Sequence, residues 1–452
     1  MRIAFFSAYG SVALVALGAV ASCASEREEG ARADDSDAIG ADAAVEGGKT
    51  TPALPPRGDA ASPTPPTTDG GTADASTFDG GPLPITCASQ WCARSLVTTH
   101  GGYDGDPAEG FCALLDDRTV ACWGANSAGQ LGRGAGGASA DAARVTDLTN
   151  VTQLDHTCAL DTLGAIRCWG TGPFLRNGAG GVSTEPVPFQ VDLPPATRIA
   201  LGVDVACAVV DGSVVCWGAN ASRVVSAETT TPLANREVVL PTGAPVRDLR
   251  VGTAAFAVRT DGETVSWGAK ALAGRVTSLT NDPGPYPMAL RGISSIDVTH
   301  DTACVTAAGT GYCWGLAMTS IVWPPTHLYR YLPLPVVAPE PLVQIATTRS
   351  VSENWTVVHP QRWCAVSATG EVYCWGNNHA GQVGDGTNGH AYDATLVTGL
   401  PAPAVEVRTH VSSTCALLTT GDVFCWGSND YGQLGSGTIG TPSLTPQRVE
   451  LP

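Results

Sequence analysis

Lysine is almost missing from this chain. Lys49 and Lys270 are the only two in 452 residues, and arginine carries nearly all the positive charge. Acidic residues outnumber basic ones, 42 to 25, giving a formal net charge of -17. A nucleic-acid partner needs a basic face, so nucleic-acid binding is excluded. The apolar run from Val12 to Val20 is short of the roughly 20 residues of an ordinary membrane-spanning helix. No Cys-x-x-Cys occurs, which removes the usual zinc and redox spacings. Nor is there a Gly-x-Ser-x-Gly elbow, a His-Glu-x-x-His or a phosphate loop. No catalytic residue, metal ligand or cofactor is therefore assigned.

What the chain has is a repeat. A stretch typified by Thr414-Cys-Ala-Leu-Leu-Thr-Thr-Gly-Asp-Val-Phe-Cys-Trp-Gly427 recurs seven times, ending at Trp123, Trp169, Trp217, Trp267, Trp314, Trp375 and Trp426. The intervals are 46, 48, 50, 47, 61 and 51 residues, in the range of repeat architectures. Each copy reads as a β-hairpin. Gly164, Gly262, Gly370 and Gly421 hold the third place of a three-residue turn, the site of an αL bulge. Two shorter copies turn at Asp211-Gly212 and Ala308-Gly309, a two-residue type I′ geometry. Counting outward from either turn places the cysteines opposite each other on a non-hydrogen-bonded pair, close enough to bridge. Six cross-strand disulfides follow: Cys112–Cys122, Cys158–Cys168, Cys207–Cys216, Cys304–Cys313, Cys364–Cys374 and Cys415–Cys425. The fourth copy has Phe256 and Ser266 instead. Both cysteines are lost together, as pairing requires. Cys87 and Cys92 read as a further staple at the domain's edge.

Each unit holds a first strand (Leu96 to Thr99, Val405 to Thr409), the cysteine hairpin, Trp-Gly, a polar loop and a Pro-led strand such as Pro446 to Val449. Four strands per unit and seven units predict an all-β, seven-bladed β-propeller with intra-blade disulfides. The chain ends after a Pro-led strand and the first unit starts without one. Ring closure is therefore expected by Arg448 to Leu451 completing the first blade.

The N-terminus reads as a targeting segment. Val20-Ala21-Ser22-Cys23 resembles the bacterial lipobox, which implies cleavage before Cys23 and lipidation of that cysteine; a plain secretory peptide is the alternative. Residues 1–22 are then a signal peptide and 23–86 a lipidated cysteine with a disordered acidic Pro/Ala/Gly-rich linker, too poor in large apolar residues to fold. The propeller spans 87–452. Ala24 after the cysteine is similar to an outer-membrane address, so an outer-membrane or cell-surface lipoprotein is expected, facing the periplasm as an alternative.

The pattern Cys-Ala-Leu, Gly-x-Val, Cys-Trp-Gly-x-Asn-x-x-Gly-Gln-Leu-Gly resembles the regulator of chromosome condensation (RCC1) repeat family. The full signature stands at Gly124 to Gly132, Gly376 to Gly384 (Val383 for Leu) and Gly427 to Gly435, and decays in the other copies. The resemblance implies a seven-bladed propeller. The founder's nucleotide-exchange activity needs a cytosolic partner and is not carried over to an exported, disulfide-bonded chain. Secreted bacterial members that bind proteins are nearer in compartment.

Candidate binding residues lie where units depart from the repeat. Leu316 to Pro341 reads as a long Pro-rich insertion holding Trp323, Tyr329 and Tyr331. Two loops, His100 to Gly110 and Arg349 to Arg362 with Trp355 and Trp363, fall on one face in nearly adjacent units. His156, His300 and His410 precede their cysteines by two, four and five residues. Such unequal offsets favour turn histidines over a ring at the channel mouth. The expected function is non-catalytic binding of a protein or envelope glycan by a monomer held to the membrane through its lipid alone. A secreted propeller lyase or hydrolase, or a structural envelope component, are the alternatives.

Overall fold

The computed structural model describes residue 78 and residues 80–452, apart from 88–90, 101–107, 177–180, 319–326, 350, 354–356 and 360; for 317, 318, 327, 351–353 and 357–359 it describes the backbone alone. The expected signal peptide, Cys23 and most of the expected linker therefore lie outside the described residues, as do Trp323 and Trp355. The described residues form a seven-bladed β-propeller. Its blades are four-stranded antiparallel sheets spanning 93–144, 151–190, 196–238, 246–287, 293–335, 342–396 and 404–448. Blade six carries an extra small hairpin, Val351–Glu353 with Val357–His359, between its first two strands.

Local sequence sets each hairpin. In blade seven Ser413–Leu418 pairs with Val423–Gly427, and Cys415 stands opposite Cys425. The six cross-strand disulfides have Cα separations between 4.0 and 4.2 Å, the close spacing of a non-hydrogen-bonded pair. Gly421 turns with φ +80° against Cys92, leaving no room for a side chain. Cys92 is bridged to Cys87. Blade one reaches the same turn without glycine. Arg118 takes φ +62° there, while Asp117 Oδ1 accepts the Thr119 N–H at 3.0 Å.

Both faces of each blade are sandwiched, so the second strands are buried along their whole length in blades one, three, four, five and seven. The repeat tryptophans join blades by hydrogen bonds as well as by packing. Trp123 Nε1 donates to Gln433 O at 3.0 Å, Trp169 to Gln130 O, Trp217 to Phe174 O, Trp267 to Val224 O, Trp314 to Leu272 O and Trp426 to Gln382 O. Each acceptor belongs to the preceding blade. Trp375 stacks on Trp363, which lies within the second strand of blade six, not in a loop. The signature asparagine braces the following loop. Asn126, Asn378 and Asn429 accept the N–H groups of Leu131, Val383 and Leu434. Asn220 does the same for Val225 in a copy whose signature has otherwise decayed.

Closure differs from the expectation. The C-terminal strand Ser443–Arg448 pairs with its own blade's third strand, and blade one has its own fourth strand, Ser139–Arg144. Among the described residues no strand is exchanged between the first and last blades. The fourth strand of blade seven also begins before its proline: Pro446 lies inside it, where an outer edge needs no inward N–H. Side chains close the ring. The first strands line the channel without pairing laterally, so their backbone groups need other partners. Leu96 N–H donates to Glu406 Oε2 at 2.9 Å, and Arg408 Nε donates to Leu96 O at 3.0 Å. The same bridge recurs from Leu201 to Asp155, Thr347 to Asp297 and Val407 to Gln344. Leu96, Phe111 and Trp123 share one core with Val405, Leu417, Leu434 and Val449 of blade seven.

The segment before blade one runs along the hairpin-turn ends of the later blades. Phe78 lies at Gly309 and Leu83 at Gly370, and Thr86 N–H donates to Thr419 O at 2.7 Å.

Candidate functional site: the mouth of the central channel

The channel encloses a cavity of about 560 Å³. It opens on the face opposite those hairpin turns, where the loops between first and second strands meet. His100, His156, His300 and His410 all reach it. The unequal offsets before the cysteines hide this. Counted from the end of the first strand, at Thr98, Asp155, Val298 and Thr409, each histidine is one or two residues on. His156, in a two-residue turn, and His410 are held by backbone carbonyls as the turn reading expects, and the four histidines converge on one opening as well. The usable signal was distance from the inner strand, because variation in length lies between histidine and cysteine.

The mouth is lopsided. On the side of blades three and four the small residues Gly202, Ala219, Ala221, Ser222, Gly252 and Thr253 wall it, with Asp204 and Arg250 beside them. A Cβ on Gly252 would stand 2.6 Å from Val298, so close inter-blade packing keeps that position small. The other side carries His100, His156, His410 and Arg349. His100 and His156 pack with ring centroids 3.8 Å apart. His156 Nδ1 is 2.9 Å from Thr98 O and donates to it. Its Nε2 lies 3.9 Å from Asp155 Oδ1. His410 Nε2 donates to Gly110 O at 2.8 Å.

Burial, and then the charges of His156, His410 and Arg349, hold His100 well below the ordinary histidine value. Burial also lowers His410, against the opposing pull of Glu109 and the Gly110 carbonyl. Glu109 is buried and committed: it accepts Ser412 N–H at 2.7 Å and Ser413 Oγ at 2.5 Å. Beneath it Arg362 is fully buried and bonded to the His410, Ser413 and Gln382 carbonyls. Burial pushes its guanidinium down to about 9. Among the described residues no group of three or more His, Cys, Asp or Glu is arranged to hold a metal ion.

Of the aromatic candidates, Tyr329 and Tyr331 are described. The insertion that holds them is not one long loop. Thr310–Met318 and His327–Pro335 form an extended antiparallel arm, with Met318 opposite His327. The two tyrosines sit on the outermost strand of blade five, 51% and 41% exposed, with parallel rings 6.0 Å apart. Lys270 Nζ lies 5.2 Å from the Tyr331 ring. They are on the rim, apart from the channel.

The family profile of the Regulator of chromosome condensation (RCC1) repeat matches residues 364–382 and 412–433. The chain is an RCC1-like repeat protein. It is 26% identical over 357 residues to the Ultraviolet-B receptor UVR8 of Arabidopsis thaliana, covering 72% of this chain and 76% of that protein. The fold is similar to that of Prp20p from Saccharomyces cerevisiae, at 17% identity and a TM-score of 0.56 over 78% of this chain and 88% of the other. Human WBSCR16 is similar to the same degree, with 17% identity, a TM-score of 0.56, and 74% and 94% covered. Within the RCC1-like frame, the Trp, Asn and Gly signature residues are structural. The four mouth histidines and Arg349 lie outside the signature.

Proposed function

We propose that this RCC1-like chain is a non-catalytic binding propeller that recognises a protein partner through the face bearing the channel mouth. Lipidated Cys23 and the following linker hold it at the cell envelope. One observation carries the choice of face. Phe78, Leu83 and Thr86, before blade one, lie along the hairpin-turn face, which is the face away from the mouth. A protein partner is supported by the likeness to Prp20p, a protein described by its binding to Gsp1p and histones.

The test is capture of envelope proteins by the full chain. Ala219→Arg with Ser222→Arg, which crowd the small-residue side of the mouth, abolish capture, whereas Tyr329→Ala with Tyr331→Ala leave it intact. The reverse pattern moves the site to the rim, where parallel exposed tyrosines suit an envelope glycan. Cys23→Ala releases the protein from membranes; continued retention would remove the anchor.

A further inference from the structure

Every other junction in the ring is crossed by the chain itself, as it passes from a fourth strand to the next first strand. The junction of blade seven with blade one is not, because those blades lie at opposite ends of the propeller sequence. Among the described residues no strand is shared across it either. Local opening falls where the fewest constraints hold the parts together, which in this ring is that junction.

The segment before blade one supplies a constraint there. Leu83, Ile85 and Cys87 are half-buried, while Pro82, Pro84 and Thr86 are exposed, the alternation of an extended chain lying on a surface. Its far end is at the turns of blades five and six. A Cβ on Gly309 would meet the Phe78 ring at 3.1 Å, and one on Gly370 would meet Leu83 at 3.0 Å. Phe78 packs on the core of blades six and seven, and Leu83 and Ile85 pack on the core shared by blades seven and one. At the turn of blade seven, Thr86 N–H donates to Thr419 O at 2.7 Å and Ala93 N–H to Gly421 O at 2.9 Å. On the blade-one side, Cys92 O accepts the Asp116 N–H at 2.8 Å, and Ile85 O accepts from Arg94 Nη1 at 3.2 Å. The Cys87–Cys92 bridge clasps the segment to the sulfur that fills the space at Gly421. A bland reading is a leader laid on a convenient surface without effect on the ring. The exposed prolines speak against it. They fix φ and have no N–H to satisfy, so the segment is stiffened before it docks and loses less entropy in doing so.

We propose that Phe78 to Cys87, clasped to Cys92, is a latch that closes the propeller ring in place of an exchanged strand. The chain leading into blade one is held by the three blades that precede it around the ring. Blade one therefore parts from blade seven only when the segment peels away. His100 of blade one and His410 of blade seven stand on either side of this junction at the mouth, so the latch fixes their spacing from the opposite face and leaves the opening itself unoccupied. This holds whether or not the mouth takes a partner.

The experiment is native-state hydrogen exchange on the full chain, resolved to single amides. Leu96 N–H, bonded to Glu406, reports the junction of blades seven and one. Leu201 N–H, bonded to Asp155, reports that of blades two and three. Thr86 N–H reports the segment itself. Leu83→Ala with Ile85→Ala speeds exchange at Thr86 and Leu96 about tenfold or more and leaves Leu201 unchanged. Pro82→Gly with Pro84→Gly removes no buried side chain and keeps the fold intact. It loosens only the free segment, and speeds Thr86 and Leu96 together by several-fold. Faster exchange at Thr86 with Leu96 unmoved overturns the latch, since the segment then comes and goes without the ring opening. Equal acceleration at Leu96 and Leu201 overturns it as well, by making the segment general core packing with no particular hold on this junction.

Discussion

Blade four and blade seven have the same architecture and are held together differently. In blade seven Cys415 and Cys425 are bridged across the hairpin. In blade four the same register brings Phe256 opposite Ser266. Phe256 fills the core and meets Trp314 edge-on at 6.0 Å, while Ser266 Oγ donates to Ala273 O at 2.6 Å. The polar loop that asparagine braces elsewhere is gathered here by Arg275. That guanidinium donates to Asp282 at 2.7 Å, to Gly284 O at 2.8 Å and to Ser266 O, beneath the Tyr286 ring. Burial works against the Asp282 charge, but Arg275, Thr277 and the Gly284 N–H hold the carboxyl below its usual value. A blade therefore needs a filled core and a fixed loop, and covalent bridging is one means among several.

The largest test of this contrast is Arg275→Ala. Both partners are nearly buried, with side-chain exposures of 10% and 7%. Removing one leaves the other uncompensated, at a cost of about 3–5 kcal/mol, read by urea denaturation. Little loss would mean that blade four rests on Phe256 alone. Next comes Cys415→Ala with Cys425→Ala. The loop closed is 10 residues long, for which chain entropy gives about 2–3 kcal/mol. A loss well above that would show the sulfurs to be core packing as much as staple. Phe256→Cys with Ser266→Cys sharpens the comparison. The bridge forms, detected by mass mapping without reduction, yet stability falls by about 1 kcal/mol, since a gain of about 2–3 is outweighed by a lost aromatic worth about 3–5.

The smallest effect concerns pH. His100 and His410 titrate below the ordinary histidine value when folded. The unfolded chain then binds more protons under about pH 6.5, so their contribution is intact above that value and is lost as pH falls through the folded values. Thermal melts across this range show the decline. His410→Asn flattens this decline, read by the same melts. Arg275→Ala changes the curve for a different reason, because Asp282 loses the partner that holds its carboxyl down.

Sequence legibility followed distance along the chain. Register, turns and disulfide pairing involve cysteines 9 or 10 residues apart, and a hairpin's turn type determines which residues face each other. The repeat count and interval then announce seven blades. Even locally some signals were hidden: Arg118 does a glycine's work in blade one, and Asn220 keeps its bracing role where its surroundings have drifted. The closure by strand exchange was read from where prolines fall, but an edge strand accepts proline within it as well as at its start.

The sequence by itself determined the blade: what pairs within it, how it turns and where it is bridged. The tertiary structure alone decided the ring and its mouth. Leu96 meets Glu406 across 310 positions, and four histidines with unlike spacings arrive at one opening. The physical reason is that backbone hydrogen bonding couples near neighbours through a fixed geometry, whereas contacts between blades are chosen by packing and by whichever side chain satisfies an unpaired backbone group. Such partners leave no periodic trace along the chain.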